Sequence, residues 1–173
     1  MLAEAFLHVT GATTRLGKVE DGTTVSDYDD EEHKRKISIY TSVIPVEHKN
    51  YKINFLDAPG YTDFVGEMVS ALSVADGAII LVDAVAGIEV GTELAWRYCE
   101  QFNLPRFFVI NKMDREARDP FDLMDEIEKV LGISCFPVTW PIGMGESFRG
   151  VYDRFKRELN LFEKNADRSK PIA

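Results

Sequence analysis

Two apolar runs constrain the fold of this chain more than any other feature of its sequence. Residues 77–83 read Gly-Ala-Ile-Ile-Leu-Val-Asp, and residues 106–111 read Arg-Phe-Phe-Val-Ile-Asn. Strands that are apolar on both faces are typical of parallel sheets whose two faces are covered. A helical pattern over about 91–102 separates the two runs. The sequence therefore predicts a strand–helix–strand unit with a right-handed crossover.

Strand and helix patterns extend this unit on both sides. Strands are also predicted, from β-branched residues and period-two alternation, at residues 37–46 and 52–56. Helices are also predicted, from apolar residues at helical spacing, at residues 1–9, 62–74 and 120–131. Residues 13–36 are polar and predict a long loop, whereas residues 148–161 fit either a helix or two short strands. The predicted fold class is α/β, with a mostly parallel sheet and an antiparallel hairpin strand at its edge.

The composition of the 173 residues excludes several classes of protein. A content of 45% hydrophobic and 28% charged residues predicts a folded globular chain. The net charge of −9 argues against bulk electrostatic binding to nucleic acid. No apolar run approaches the ~20 residues that a membrane-spanning helix needs. Cys99 and Cys135 lie far apart without a CxxC pairing, which excludes a disulfide scaffold and predicts a cytoplasmic protein.

The first motif with chemical meaning is Asp57-Ala58-Pro59-Gly60, at the end of a predicted strand. A carboxylate at this place can hold a magnesium ion. A glycine beyond the turn lets a backbone N–H approach a γ-phosphate without interference from a Cβ atom. The alternative is a plain turn in which the aspartate caps the following helix.

The second motif is Asn111-Lys112-Met113-Asp114, which follows the second apolar strand. The Asp114 carboxylate can accept two hydrogen bonds from the amino edge of guanine, and the Asn111 amide can donate to the purine. The Lys112 stem can cover the ring and order the loop. The alternative is a solvated loop without a ligand.

The order of the two motifs is more specific than either motif alone. Each follows a strand, and one strand–helix unit separates them. In open α/β sheets, ligands bind outside the carboxyl ends of the strands, which is where both motifs are predicted. This arrangement is typical of a P-loop GTPase.

The sequence resembles the GTP-binding domain of translational GTPases, most of all the elongation factor G family. Four segments carry this resemblance: 16–23, 29–38, 57–64 and 83–87. Two further segments resemble the bacterial peptide chain release factor 3 family more: 118–120 and 139–152.

The resemblance implies GTP and Mg²⁺ as cofactors and assigns a role to each site residue. Ser38 and Asp57 are the implied metal ligands. The implied nucleotide-binding residues are Asp57, Ala58, Pro59, Gly60, Asn111, Lys112, Met113 and Asp114. Tyr61 is the implied catalytic residue, because it stands where the family usually has a histidine that positions the attacking water. Lys36 stands where the family commonly has glycine.

The chain contains no G-x-x-x-x-G-K-[ST] motif. The nearest match, residues 11–19, has one residue too many and a valine in place of the hydroxyl. The resemblance implies that the chain begins just past its P-loop, without the central strand that precedes it. We therefore expect an incomplete P-loop NTPase-type GTPase domain over residues 1–135. Residues 136–173 are expected to begin an inserted or subsequent segment of that domain.

The resemblance implies part of an elongation factor G-like protein that hydrolyses GTP on the ribosome to drive translocation. The chain by itself is expected to be monomeric and inactive, with no membrane partner. One alternative is a release factor 3-like GTPase that recycles release factors. Another is a non-enzymatic remnant that binds no nucleotide, because the P-loop motif is missing.

Overall fold

A computed structural model of the chain describes residues 2–162, which form two compact units. The first unit comprises residues 2–77 and 101–104, and the second comprises residues 78–100 and 105–162. Helices occur in both units, and the strands pair in both parallel and antiparallel fashion. The structure therefore has the predicted α/β character.

Five α-helices and seven strands are found in the described part of the chain. The helices are α1 (Leu2–Val9), α2 (Asp30–Arg35), α3 (Val65–Leu72), α4 (Val90–Gln101) and α5 (Pro120–Leu131). The strands are β1 (Ser42–His48), β2 (Tyr51–Asp57), β3 (Ala78–Asp83), β4 (Arg106–Asn111), β5 (Thr139–Ile142), β6 (Gly150–Asp153) and β7 (Glu158–Leu161). Short 3₁₀ turns cover Thr62–Phe64 and Gly145–Ser147. None of the helices over residues 2–162 is long and apolar enough to cross a membrane.

The first unit is built on the hairpin of β1 and β2, which pair in antiparallel fashion. Its two-residue turn consists of Lys49 and Asn50, both with positive φ, as the twist of a tight hairpin requires. Helix α1 packs against the buried face of β1. The resulting core consists of Ala3, Leu7, Ile44 and Val46, with Phe55 packed beside it.

Helix α2 contradicts the prediction of a continuous loop over residues 13–36. Asp29 accepts a hydrogen bond from the N–H of Glu31, and Asp29 and Glu32 form a capping box that begins the helix. Exposed pairs from Glu31 to Lys34 and Arg35 add local support. Because α2 has no apolar stripe, hydrophobic spacing could not reveal it.

The first strand also begins later than predicted. Its predicted range was 37–46, but pairing begins only at Ser42. The backbone N–H groups of Ile39 and Tyr40 donate instead to the Glu32 carboxylate. The Glu32 side chain therefore accepts from backbone N–H groups that the strand prediction had assigned to hydrogen bonds between strands.

The second unit contains the predicted parallel pair of β3 and β4, whose registers match from Ala78 with Arg106 to Asp83 with Asn111. Helix α4 covers one face, where Trp96 stacks on Phe108 at 5.5 Å between ring centroids. Helix α5 begins at Pro120 and ends before Gly132, as predicted. The sequence fits either a helix or two short strands over residues 148–161. The structure has strands there, because β6 and β7 form an antiparallel sheet with β5.

The strands of residues 2–162 fall into three separate sheets. Within this part of the chain, β2 pairs only with β1, and β3 pairs only with β4. Ile79 and Leu81 are exposed, whereas Ile80 and Val82 are buried. The prediction that β3 is covered on both faces is therefore wrong for the described residues, because the face that carries Ile79 and Leu81 is exposed.

Candidate functional site

Asp57 lies where the sequence predicts it, as the last residue of β2. Across the hairpin it is paired with Ser42, whose hydroxyl donates to the backbone oxygen of Ser26. Burial raises the pKa of the Asp57 carboxyl, and the nearby charge of Asp27 raises it further. The helical turn that follows begins after Tyr61 and has no side-chain cap. The alternative of a helix-capping aspartate is therefore not what the structure shows.

Ser38 is held by the carboxylate of Asp27, a contact that sequence reasoning did not predict. Its hydroxyl donates to Oδ1 of Asp27 at 2.7 Å, and the Thr24 hydroxyl donates to Oδ2 at 3.0 Å. A hydroxyl that donates its hydrogen still keeps two oxygen lone pairs. The contact with Asp27 is therefore compatible with the metal-ligand role implied for Ser38.

The donors of this region suit Mg²⁺ better than a softer metal ion. Ser38 and Asp57 supply hard oxygen atoms, and the charge of Asp27 lies near the Asp57 carboxyl. Over residues 2–162, no three His, Cys, Asp or Glu side chains are grouped closely enough to hold a metal ion by themselves. Magnesium characteristically takes only one or two protein ligands and completes its shell with phosphate oxygens and water.

The turn after Asp57 leaves room for a ligand. A Cβ atom added at Gly60 would meet no atom within 4 Å, so the packing of the protein does not require glycine there. Pro59 is buried, whereas Ala58 is partly buried. Tyr61 is 59% exposed and lies directly before the 3₁₀ turn. An exposed phenol at this position can reach a bound molecule without leaving a core.

The loop over residues 111–114 is ordered by its own side chains rather than merely solvated. Oδ1 of Asn111 accepts from the N–H of Lys112 at 2.9 Å. Lys112 has a φ of +64°, which turns the chain sharply at the end of β4. Nζ of Lys112 lies 2.5 Å from Oδ2 of Asp83, at the end of the neighbouring strand. The loop therefore has a defined shape.

The side chain of Met113 packs in the core of the second unit and so fixes the position of this loop. Its side chain is 9% exposed and lies in a cluster with Ala84 and Leu123. Its backbone oxygen accepts from the N–H of Gly145 at 2.9 Å. With Met113 fixed in the core, the exposed Asp114 follows it at the surface. The residues of the second predicted motif are thus brought together within the second unit.

Buried glutamates organise the first unit, and the motif search missed both of them. Glu32 accepts from the N–H groups of Tyr28, Asp29, Ile39 and Tyr40. Burial alone would raise the pKa of the Glu32 carboxyl, but these four hydrogen bonds outweigh it and lower the pKa. The spacing of an aspartate and a glutamate three residues later, at 29 and 32, was the available signal.

Glu4 plays the corresponding role for the preceding segment. Its carboxylate accepts from the N–H of Gly17 at 2.8 Å and from the N–H of Val25 at 2.6 Å. A Cβ atom at Gly17 would lie 2.5 Å from the backbone oxygen of Thr23, so this close approach requires glycine. No local sequence pattern links a helical glutamate to a loop so far along the chain.

Comparison with known proteins gives a consistent result. The family model described as "Elongation factor Tu GTP binding domain" matches residues 1–169. A protein named peptide chain release factor 3 from Cyanothece sp. is 43% identical over 169 residues, which are 95% of this chain and 31% of that protein. Its namesake from Gloeobacter violaceus is 42% identical over 167 residues, covering 94% and 32%. The chain spans about a third of the length of these relatives.

The fold matches a solved structure as well. The crystal structure of ttk003000868 from Thermus thermophilus superposes with a TM-score of 0.88 at 39% identity. The match covers 94% of this chain and 24% of that one. The comparisons confirm the predicted GTPase-type α/β fold and the predicted resemblance to translation factors.

Proposed function

The chain belongs to the elongation factor Tu GTP-binding domain family, a family of translational GTPases, and we propose that its 57–61 turn and 111–114 loop bind GTP. The 111–114 loop reads the guanine base in this proposal, and the 57–61 turn faces the γ-phosphate. The main observation that supports guanine binding by the 111–114 loop is the hydrogen bond from the N–H of Lys112 to Asn111.

That hydrogen bond orients the amide of Asn111. Oδ1 accepts from the N–H of Lys112, and the NH₂ group of the same amide is a donor that the side chain can offer to a ligand. Asp114 follows at the exposed end of the loop and carries two acceptor oxygens. A donor beside a paired acceptor matches guanine, whose N1–H and N2–H donate and whose N7 and O6 accept. Adenine offers no such pair of donors.

The 57–61 turn belongs to the first unit and is the proposed phosphate and metal site. Asp57 and Ser38 would hold Mg²⁺, which when bound neutralises charge on the phosphates. Gly60 leaves open space in which its backbone can approach the γ-phosphate. Tyr61 would orient the attacking water through its hydroxyl. We therefore propose GTP hydrolysis as the activity of a longer protein that also supplies a P-loop.

Two roles in translation are open to such a protein, and recycling of release factors is the one we favour. The relatives named peptide chain release factor 3 are 40–43% identical to the chain. Residues 118–120 and 139–152 also resemble that family. Translocation by an elongation factor G-like protein is the second candidate, because residues 16–23, 29–38, 57–64 and 83–87 resemble that family. In either role the ribosome is the proposed partner.

An extended version of the chain tests nucleotide binding. In it, a strand and a G-x-x-x-x-G-K-[ST] segment from a relative are placed before Leu2. We expect calorimetry to show GTP binding in the micromolar range or tighter, with no binding of ATP under the same conditions. The 173-residue chain is the matched control and should show no micromolar binding, because several charged hydrogen bonds to phosphate, each worth about 1.5–3 kcal/mol, are missing. Equal binding of ATP and GTP would contradict the proposal.

Ribosome assays separate the two roles. The full-length protein that carries this chain is added to ribosomes that hold either a bound release factor or a peptidyl-tRNA awaiting translocation. We expect GTP-dependent dissociation of the release factor and no effect on translocation. Acceleration of translocation alone would decide for the second candidate. An absence of GTP dependence in both assays would favour a remnant without nucleotide function.

A further inference from the structure

We infer that Asp83 is a positioning residue of the 111–114 loop, and that it acts by holding Lys112. The inference rests on the proposed function, because it concerns how this loop recognises guanine. Asp83 lies outside both predicted motifs, at the end of β3. All residues of the argument belong to the second unit.

The two oxygens of Asp83 have separate partners. Oδ2 lies 2.5 Å from Nζ of Lys112, and Oδ1 accepts from the N–H of Val85 at 2.9 Å. The backbone oxygen of Asp83 accepts from the N–H of Gly87 at 2.8 Å. The hydrogen bond from Lys112 lowers the pKa of the Asp83 carboxyl, in keeping with a carboxylate that stays charged. The acceptor for Lys112 is therefore itself fixed by the turn that follows β3.

Strand register places this acceptor beside the loop. Asp83 is paired with Asn111 across the parallel strands, and the N–H of Ala84 donates to the backbone oxygen of Asn111 at 2.9 Å. The loop and its acceptor thus begin at the same level of the sheet. The left-handed backbone at Lys112 starts its side chain from a defined direction, and Asp83 fixes the far end.

Fixing the far end of Lys112 matters because a lysine side chain has much rotamer freedom. Lys112 is 42% exposed, so packing alone does not immobilise it. A lysine that becomes ordered only on binding loses more side-chain entropy than one that is already held in place. With its ammonium held by Asp83, the lysine presents an already ordered apolar stem to the face of a purine ring.

The ion pair between Asp83 and Lys112 also controls where the positive charge of Lys112 lies. Lys112 is two residues from Asp114, the proposed acceptor for the guanine edge. An ammonium released from Asp83 can compete with guanine for the Asp114 carboxylate. Asp83 therefore directs Lys112 toward covering the base and away from masking the group that reads it.

A binding experiment on the 173-residue chain tests this inference without a P-loop. The probe is guanosine 5′-monophosphate, and adenosine 5′-monophosphate is the matched control, since the two differ only in the base. Backbone amide signals of residues 111–114 are followed by NMR during each titration. We expect weak binding of the guanine nucleotide, and at least tenfold weaker binding of the adenine nucleotide.

Four single variants and one double variant isolate the contribution of Asp83. Asp83→Asn should weaken binding of the guanine nucleotide about tenfold, whereas Asp83→Glu, which keeps the carboxylate, should recover most of the loss. Asp125→Asn is the matched control, because it removes an exposed aspartate from the pair with Lys129 on α5. Lys112→Met should weaken binding as Asp83→Asn does, and the double variant should lose no more than either single one, because Asp83 acts through Lys112.

The side chain of Lys112 gives a readout that a purely structural role of Asp83 would not move. In the unsubstituted chain, the ammonium group should give a slowly exchanging ¹H–¹⁵N signal, which Asp83→Asn should abolish and Asp125→Asn should leave unchanged. If Asp83→Asn does not fold, this signal and the Asp83→Glu titration decide the matter. Absence of the signal from the unsubstituted chain would overturn the inference.

Failure of the inference and failure of the proposed function give different results. If the unsubstituted chain prefers the guanine nucleotide and Asp83→Asn prefers it equally, the function stands and Asp83 is not a positioning residue. If the unsubstituted chain shows no shifts at residues 111–114 with either nucleotide, the proposed guanine site is wrong and the inference falls with it. Additive losses in the double variant would also overturn the inference.

Discussion

Ser38 donates its hydroxyl hydrogen to Oδ1 of Asp27, which lies eleven positions earlier in the sequence, with 2.7 Å between the two oxygens. Asp27 is 6% exposed, and its second oxygen accepts from Thr24. The hydroxyl that the family resemblance assigns to Mg²⁺ is therefore already oriented by the protein. A carboxylate that orients a metal-binding hydroxyl has the same physical effect as the outer hydrogen bonds of other metal sites.

Removal of the Ser38 hydroxyl should destabilise the first unit. In Ser38→Ala, Asp27 loses one of its two hydroxyl donors while it stays buried, and hydrogen bonds to charged groups contribute about 1.5–3 kcal/mol. We expect a loss of that order in the free energy of unfolding, measured with urea. Ser38→Thr keeps the hydroxyl and should lose less than about 1 kcal/mol. Equal losses in the two variants would show that the hydrogen bond to Asp27 contributes nothing.

Acid should destabilise the segment that Glu32 organises. The pKa of Glu32 is lowered in the folded chain, so its stabilising effect is present above the unfolded pKa of about 4.3. That effect is lost as the pH falls from there through the lower folded pKa. We expect the free energy of unfolding to fall below about pH 5, and to fall less steeply in Glu32→Gln. Parallel pH profiles for the two proteins would contradict this prediction.

Substitution of Lys36 should stabilise the chain, whereas the changes in the two preceding predictions destabilise it. Its φ is +57°, a left-handed conformation that costs a residue with a Cβ atom about 1–2 kcal/mol. Lys36→Gly removes this cost, and the greater freedom of glycine in the unfolded chain offsets part of the gain. We expect a net gain of about 0.5–1 kcal/mol in thermal unfolding. Lys34→Gly, in the last turn of α2, is the control and should lose about 1 kcal/mol.

The sequence predicted best those features that local chemistry determines. The bounds of α5 followed from Asp119, Pro120 and Gly132, which begin and end the helix through their own backbone preferences. The parallel pairing of β3 and β4 followed from their apolar composition and the helix between them. The positions of Asp57 and Asn111 at strand ends followed from the same pattern.

Features that depend on contacts between distant residues could not be predicted in this way. The hydrogen bonds of Glu4 to residues 17 and 25 and of Asp83 to Lys112 join positions that no local periodicity relates. The late start of β1 depends on Glu32, which takes backbone donors from the expected strand. Helix α2 is an intermediate case, because its capping residues were visible in sequence although an apolar stripe was absent.

Base selectivity should change when Asp114 is substituted in the extended version. In Asp114→Asn, an amide replaces two acceptor oxygens, and one guanine donor is left without a partner. An unpaired buried polar group costs about 1–3 kcal/mol. We expect the preference to shift from GTP toward xanthosine triphosphate, which carries an oxygen in place of the guanine amino group. Competition binding measures the shift, and unchanged selectivity would mean that residues 111–114 do not read the base.

Hydrolysis by the extended version should depend on Tyr61. Phosphoryl transfer relies on placement and electrostatics, and the loss of one well-placed group costs roughly 10²–10⁴ in rate. A phenol cannot carry a positive charge, whereas a histidine at this position can carry one beside ribosomal phosphates. We therefore expect weak turnover on ribosomes and a gain of at least about tenfold in Tyr61→His.

Single-turnover GTP hydrolysis on ribosomes measures this effect, with Tyr61→Phe as the matched control. Tyr61→Phe keeps the ring but removes the hydroxyl, so it should be slower than the unsubstituted protein if that hydroxyl positions water. The ring is 59% exposed, which leaves the hydroxyl accessible to a bound nucleotide and makes a purely packing role a poor explanation. Equal rates for Tyr61, Tyr61→His and Tyr61→Phe would remove this residue from the mechanism, because neither the charge nor the hydroxyl at position 61 would then affect the attacking water.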